Sequence, residues 1–117
     1  MDLQKLDKDD IAAALAGMQS GWADEGGAIS KTFTFDSFFD AADFVAALGD
    51  LSDDLEGHHP DEVLIRGQVV RLRLFTPAIQ GVSDADVDLA ELADDIVEGA
   101  LAHKVASRFL GDAGTEG

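Results

Sequence analysis

The stretch Val69-Val70-Arg71-Leu72-Arg73-Leu74-Phe75 changes character at almost every step. In a strand, successive side chains point to opposite faces, so Val70, Leu72 and Leu74 share one side and Val69, Arg71, Arg73 and Phe75 the other. Such a strand needs a sheet with one covered face and one open face. Just upstream lies Val63-Leu64-Ile65-Arg66, and the two runs are separated by Gly67-Gln68. A two-residue gap of this kind closes a hairpin. A second hairpin reads earlier in the chain. Gly21-Trp22 begins an extended piece, Glu25-Gly26-Gly27 is a turn signal, and Ala28 to Phe35 alternates, with Ile29, Phe33 and Phe35 on one side. Trp22 reads as a core anchor. Two hairpins predict a four-stranded antiparallel sheet.

Three segments carry helical spacing. Asp9 or Asp10 is placed to cap a short helix through Met18, with Ile11, Leu15 and Met18 on one face and Gly17 marking its stop. Asp36 or Ser37 caps a second helix to about Leu55, with Phe38, Ala41, Ala42, Val45, Leu48, Leu51 and Leu55 as its stripe. Phe39 and Phe44 fall off that line, which suggests a second neighbour, such as another subunit. Asp50, Asp53, Asp54 and Glu56 crowd the end of this helix, the wrong end of its dipole, so a compensating cation such as histidine is expected there. Ser83-Asp84-Ala85-Asp86 opens the last helix, whose stripe runs Leu89, Leu92, Ala93, Ile96, Val97, Ala100, Leu101; the pattern persists to Phe109 and stops at Gly111. The order is α-β-β-α-β-β-α, an α+β class with three helices packed on one face of the sheet. Residues 1–117 read as a single domain, with a C-terminal helical extension at about 98–110.

Charge narrows the partners. The net charge of −16 disfavours nucleic acid and anionic membrane surfaces, both of which call for lysine and arginine. It suits either a solvated surface in a salty cytoplasm or a basic partner. Cysteine is absent, which excludes disulfides, thiolate chemistry and Cys-zinc sites. With no apolar run of membrane length and no secretory start at Met1-Asp2-Leu3, the expectation is a soluble cytoplasmic protein.

The chemistry concentrates in Asp54-Leu55-Glu56-Gly57-His58-His59-Pro60 and in the loop Thr76 to Asp84. Imidazole exchanges its proton near neutral pH. Adjacent histidines beside carboxylates can act as an acid/base pair, one giving and one taking. Asp54 precedes His58 by four residues, about one helical turn, and so is placed to orient the ring. Metal binding is the competing reading, but adjacent histidines rarely point at one ion, and no third ligand stands at the usual spacing. On spacing alone, an acid/base pair and two rings that merely satisfy backbone groups both remain open.

Over about residues 10–97 the chain resembles the pterin-4a-carbinolamine dehydratase family. The resemblance is carried by Gly21-Trp22, Thr32-Phe33-Thr34-Phe35, Phe38 to Phe44, Asp54 before His58-His59-Pro60, Arg71-Leu72-Arg73-Leu74, Thr76, Gly81 to Asp86, and Leu89-Ala90. It implies the same helix-on-sheet fold. It also implies an activity: dehydration of 4a-hydroxytetrahydropterin to quinonoid dihydropterin in tetrahydropterin recycling, with no metal or cofactor. By carry-over, His58 and His59 are the catalytic histidines and Asp54 the acidic helper. His58, His59, Pro60, Thr76, Pro77, Ala78, Ile79 and Asp86 bind the pterin. Self-association as a homodimer or homotetramer is implied as well. The chain departs from the family at Pro77, where relatives usually carry a third histidine, and at Gly67, where an aromatic residue is usual. These departures, the open Arg71/Arg73 face and the C-terminal extension motivate a second reading. In it, a scaffold relative acts as a protein-interaction or assembly factor, for example in Rubisco assembly or as a dimerisation cofactor of a transcription factor.

Overall fold

The computed structural model describes residues 4–18, 21–53 and 58–110, with side chains described through Gly99. The elements follow the expected order: α1 (Lys8–Ala16), β1 (Ala23–Glu25), β2 (Ala28–Thr34), α2 (Phe38–Ser52), β3 (Glu62–Arg66), β4 (Val69–Leu74) and α3 (Asp84–Leu110), with a 3-10 turn at Pro77–Ile79. The four strands form one antiparallel sheet in the order β1-β2-β4-β3. Gly67, at φ +57, makes the two-residue turn between β3 and β4, a conformation that costs glycine little.

Alternation decides the faces as expected. Val70, Leu72 and Leu74 are fully buried and sit opposite Phe33, Lys31 and Ile29 of β2. Against this face pack Ala41, Phe44 and Leu48 from α2, Leu89, Ala90 and Ala93 from α3, and Ile11 from α1. On the open face, Arg71 pairs with Glu25 and Arg73 with Asp61, while the Arg73 guanidinium lies 5.1 Å from the centre of the Phe75 ring.

One helix boundary differs from expectation. Asp7, not Asp9 or Asp10, caps α1: it accepts the Asp10 N–H at 2.8 Å, and the Asp10 carboxylate reaches back to the Asp7 N–H. That reciprocal box satisfies two donors, which a cap placed later would not. Gly17 stops the helix, its N–H bonded to the Ala14 carbonyl. Ser37 caps α2 by accepting the Asp40 N–H, and α2 ends at Ser52 with Asp53 as its C-cap; Leu55 lies outside the described residues. The inward face of α2 also differs. It is Ala41, Phe44, Leu48 and Ser52, whereas Phe38 and Leu51, expected on the core stripe, are 61% and 41% exposed. The sheet lies on the Phe44 side of the helix, and that choice is tertiary.

Lys31 is the one charged residue on the helix-covered face of β2. Its ammonium meets Asp94 of α3 at 2.6 Å, and Trp22 Nε1 donates to the other oxygen of that carboxylate at 2.9 Å. Lys31 and Asp94 are both largely buried, at 14% and 7% side-chain exposure. Trp22 is thus a core anchor with its polar end satisfied. Removing one partner of a buried pair strands the other charge, at a cost of about 3–5 kcal/mol, whereas apolar replacement of both is often near neutral. Asp94→Ala is therefore expected to lower unfolding free energy by about that much in urea titrations, and the double variant Lys31→Met with Asp94→Leu to recover part of it. Equal losses in the two would show that the pair is not what Asp94 contributes.

Candidate active site

Thr76 leaves β4 and forms a bridge with Gly81, its N–H bonded to the Gly81 carbonyl at 2.8 Å. Pro77 opens the 3-10 turn, and Gln80 closes it in the left-handed region at φ 51. The loop is held from outside by the N-terminal segment: Lys5 bridges Ser83, and the Leu6 N–H donates to the Val82 carbonyl. α3 then starts at Asp84.

The Asp86 side chain turns back from the first turn of α3 and is fully buried. Its Oδ2 accepts the Ser83 N–H at 2.9 Å and the Thr76 hydroxyl at 2.7 Å. Its Oδ1 meets His58 Nε2 at 2.6 Å. A charge withdrawn from water needs such partners, and its place at the helix N-terminus adds the favourable end of the helix dipole. The reach of Asp86 to the residue before the helix is the return half of a capping box, the signal already visible in Ser83-Asp84-Ala85-Asp86.

The two histidines part company. His58 is largely buried, and its Nε2–H donates to Asp86, which leaves Nδ1 facing away from the carboxylate. His59 is exposed, and its Nδ1–H donates to the Pro60 carbonyl at 2.8 Å, which leaves Nε2. The ring tautomers follow from these acceptors. The pair therefore offers opposite ring nitrogens. A carboxylate behind an imidazole fixes its orientation and stabilises the imidazolium when a proton is taken up.

Of the residues named from the sequence, His58, Thr76 and Asp86 come together in one network. Pro77 and Ala78 are exposed beside it and Ile79 is half-buried. The Thr76 hydroxyl is committed to Asp86 and Ser83. Asp54 lies outside the described residues; the carboxylate observed on His58 is that of Asp86. His58, near the acids that end α2, pairs with Asp86 of α3; of those acids, Asp54 and Glu56 lie outside the described residues. Ser83, read as a cap, also joins the network through its N–H and hydroxyl. Among the described residues, no group of three or more histidine, aspartate or glutamate side chains is placed to hold a metal ion.

Removing the buried carboxylate orphans two donors. Asp86→Ala is expected to cost about 1–3 kcal/mol for each of the Ser83 N–H and the Thr76 hydroxyl, read from urea denaturation. It should also abolish the slowly exchanging Nε2 proton of His58 in NMR spectra. Wild-type stability with that proton retained would mean that the network does not exist in solution.

Comparison with known proteins gives a consistent answer. The family described as Pterin 4 alpha carbinolamine dehydratase matches residues 4–96. A relative from Mycobacteroides abscessus is 39% identical over 89 residues, covering 76% of this chain and 92% of its own length. One from Halobacterium salinarum is 36% identical over 91 residues, covering 78% and 94%. Both are provisionally named as pterin-4-alpha-carbinolamine dehydratases. A crystal structure of a transcriptional coactivator/pterin dehydratase from Brucella melitensis aligns with a TM-score of 0.73 at 27% identity, covering 80% of this chain and 98% of that one.

Proposed function

The chain belongs to the pterin 4 alpha carbinolamine dehydratase family, and from that premise we propose that it dehydrates a 4a-hydroxytetrahydropterin to the quinonoid dihydropterin, with His58 as its principal acid/base group. The observation that carries the proposal is the His58–Asp86 pair, an imidazole backed by a buried carboxylate. The reaction expels a hydroxyl as water and removes a proton from the ring. One group must protonate the departing oxygen while another accepts the ring proton.

In the proposed mechanism His58 works through Nδ1, because Nε2 is engaged by Asp86. His59 supplies the second group through Nε2. Asp86 acts through His58, as a positioning residue, and Thr76 and Ser83 act through Asp86. Pro77, Ala78 and Ile79 present the backbone edge against which the pterin lies, and Pro60 is a further proposed contact. Asp54 keeps its proposed place as an acidic helper. The proposal calls on no metal or cofactor, and it places the reaction in the cytoplasm. No helix among the described residues is long and apolar enough to cross a membrane.

The scaffold-only reading drew on Pro77 and Gly67, and each has a backbone reason of its own. Pro77 is the first residue of a 3-10 turn, where its fixed φ fits and its missing N–H is not needed. Gly67 supplies the positive φ of the β3–β4 turn. Neither position therefore speaks against catalysis by the His58 pair.

Turnover is measured on 4a-hydroxypterin generated by a coupled hydroxylase. The wild-type chain is expected to exceed the spontaneous rate. His58→Ala should lose about two to four powers of ten, the usual worth of general acid–base catalysis. Asp86→Asn should lower kcat with little change in KM, since Asp86 is expected to touch His58 and not the substrate. A His58→Ala variant as fast as wild type would remove the proposal.

A further inference from the structure

The two histidines are supported in different ways. Behind His58 stands the buried carboxylate of Asp86. The exposed ring of His59 rests its Nδ1–H on a neutral acceptor, the Pro60 carbonyl, at 2.8 Å. A single neutral hydrogen bond at the surface has a small net worth, because water competes for both partners. Such a bond holds a ring in one orientation only where the acceptor is itself fixed.

The Pro60 carbonyl and the Asp61 N–H belong to one peptide unit. The described residues contain no cis peptide, so this unit is planar and trans, and its two polar groups point in opposite directions. The Asp61 N–H donates to the Arg73 carbonyl of β4 at 2.9 Å. One end of the unit is therefore bonded to the sheet, and the other end holds the ring. One bond alone would let the unit swivel. A second attachment comes from the Asp61 carboxylate, which meets the Arg73 guanidinium. Both side chains are largely shielded, at 24% and 28% exposure, and the guanidinium lies over the Phe75 ring at 5.1 Å. A planar guanidinium can face a carboxylate and a ring at once, whereas an ammonium brings charge without the fork.

We propose that Arg73, acting through Asp61, is the positioning residue for His59. It fixes the Pro60–Asp61 peptide, and that peptide holds the imidazole with Nδ1 protonated and Nε2 left for proton transfer. The inference rests on the reading of His59 as the second acid/base group and adds the residue on which its geometry depends. Arg73 precedes Thr76 by three residues, and Thr76 enters the His58–Asp86 network. The end of β4 thus serves both rings, one through a carboxylate of α3 and the other through a gripped peptide.

Nitrogen-15 spectra of the imidazoles separate the two neutral tautomers when recorded well above the ordinary imidazole range of pH. In the wild-type chain His59 is expected in the Nδ1–H form and His58 in the Nε2–H form. Arg73→Gln removes the guanidinium and keeps the backbone carbonyl. His59 should then pass to a mixture of tautomers while His58 keeps its own. Asp61→Ala, which alters the other side of the pair and leaves the N–H in place, should do the same. Arg73→Lys, which keeps the charge, should retain more of the Nδ1–H form than Arg73→Gln. In the coupled assay Arg73→Gln and Asp61→Ala should each lose several-fold in kcat with KM little changed. An unaltered His59 tautomer in both variants overturns the proposal. So does an equal change at His58, which would mark a general loosening of the fold. The tautomers are read without substrate, so an inactive wild-type chain would remove the assigned reaction and leave the positioning of His59 standing.

Discussion

One carboxylate sealed from water joins three segments that the sequence keeps apart. Asp86 holds the segment before β3 through His58, the loop after β4 through Thr76, and the start of its own helix through Ser83. Burying a charge without partners costs several kcal/mol, so the fold tolerates Asp86 in this position only while these donors stay where they are. The reverse also holds. Each donor is positioned because moving it would expose the carboxylate to an unsatisfied interior. The orientation of His58 thus inherits the stability of the helix-sheet packing that holds Asp86.

A second buried acid, Asp94, sits eight residues later on the same helix, and its charge is compensated differently. Asp86 lies in the first turn, where unpaired backbone N–H groups favour an anion. Asp94 lies too far along for that help and takes a full counter-charge from Lys31 together with the Trp22 N–H. The first arrangement gathers backbone and hydroxyl dipoles and one imidazole. The second gathers a permanent cation under aromatic rings, with Lys31 Nζ 4.9 Å from the centre of Phe33. The helix α3 is thereby tied at Asp94 to a cation of β2 and at Asp86 to the loop after β4 and to the His58 ring.

What the sequence disclosed follows from which signals are local. The sheet was legible because strand alternation and two-residue turns are properties of a few consecutive residues. Both hairpins and the buried set Val70, Leu72 and Leu74 came from that, while the anchor role of Trp22 came from the usual burial of large aromatic side chains. The inward face of α2 was not, since apolar residues lie on several of its sides and only the position of the sheet selects Phe44 over Phe38. Likewise the cap of α1 was hidden among acids at residues 7, 9 and 10, where only the reciprocal bond between Asp7 and Asp10 singles out one. In the candidate site the resemblance named His58, Thr76 and Asp86, but not that they bond to one another. Sequence proximity pointed to Asp54 as the partner of His58. The partner observed is 28 positions away, and no periodicity reports a contact of that span.

The loop carrying Pro77 bears on how the proposed chemistry would be shared. Its shape is set from behind, by the Thr76–Gly81 bridge, by Asp86 through the Thr76 hydroxyl, and by Leu6 through Val82. Proline at the head of the 3-10 turn gives up a donor that the turn does not use. A side chain at this position is therefore free to change without disturbing the backbone edge against which a flat heterocycle would lie. Under the proposed function, a chain without an ionisable group there moves its proton chemistry to the histidine segment. There one imidazole is already oriented by a buried carboxylate, and its exposed neighbour presents the other ring nitrogen. The structural requirement on this loop is then shape alone, and the acid/base requirement falls on the segment that leads into β3.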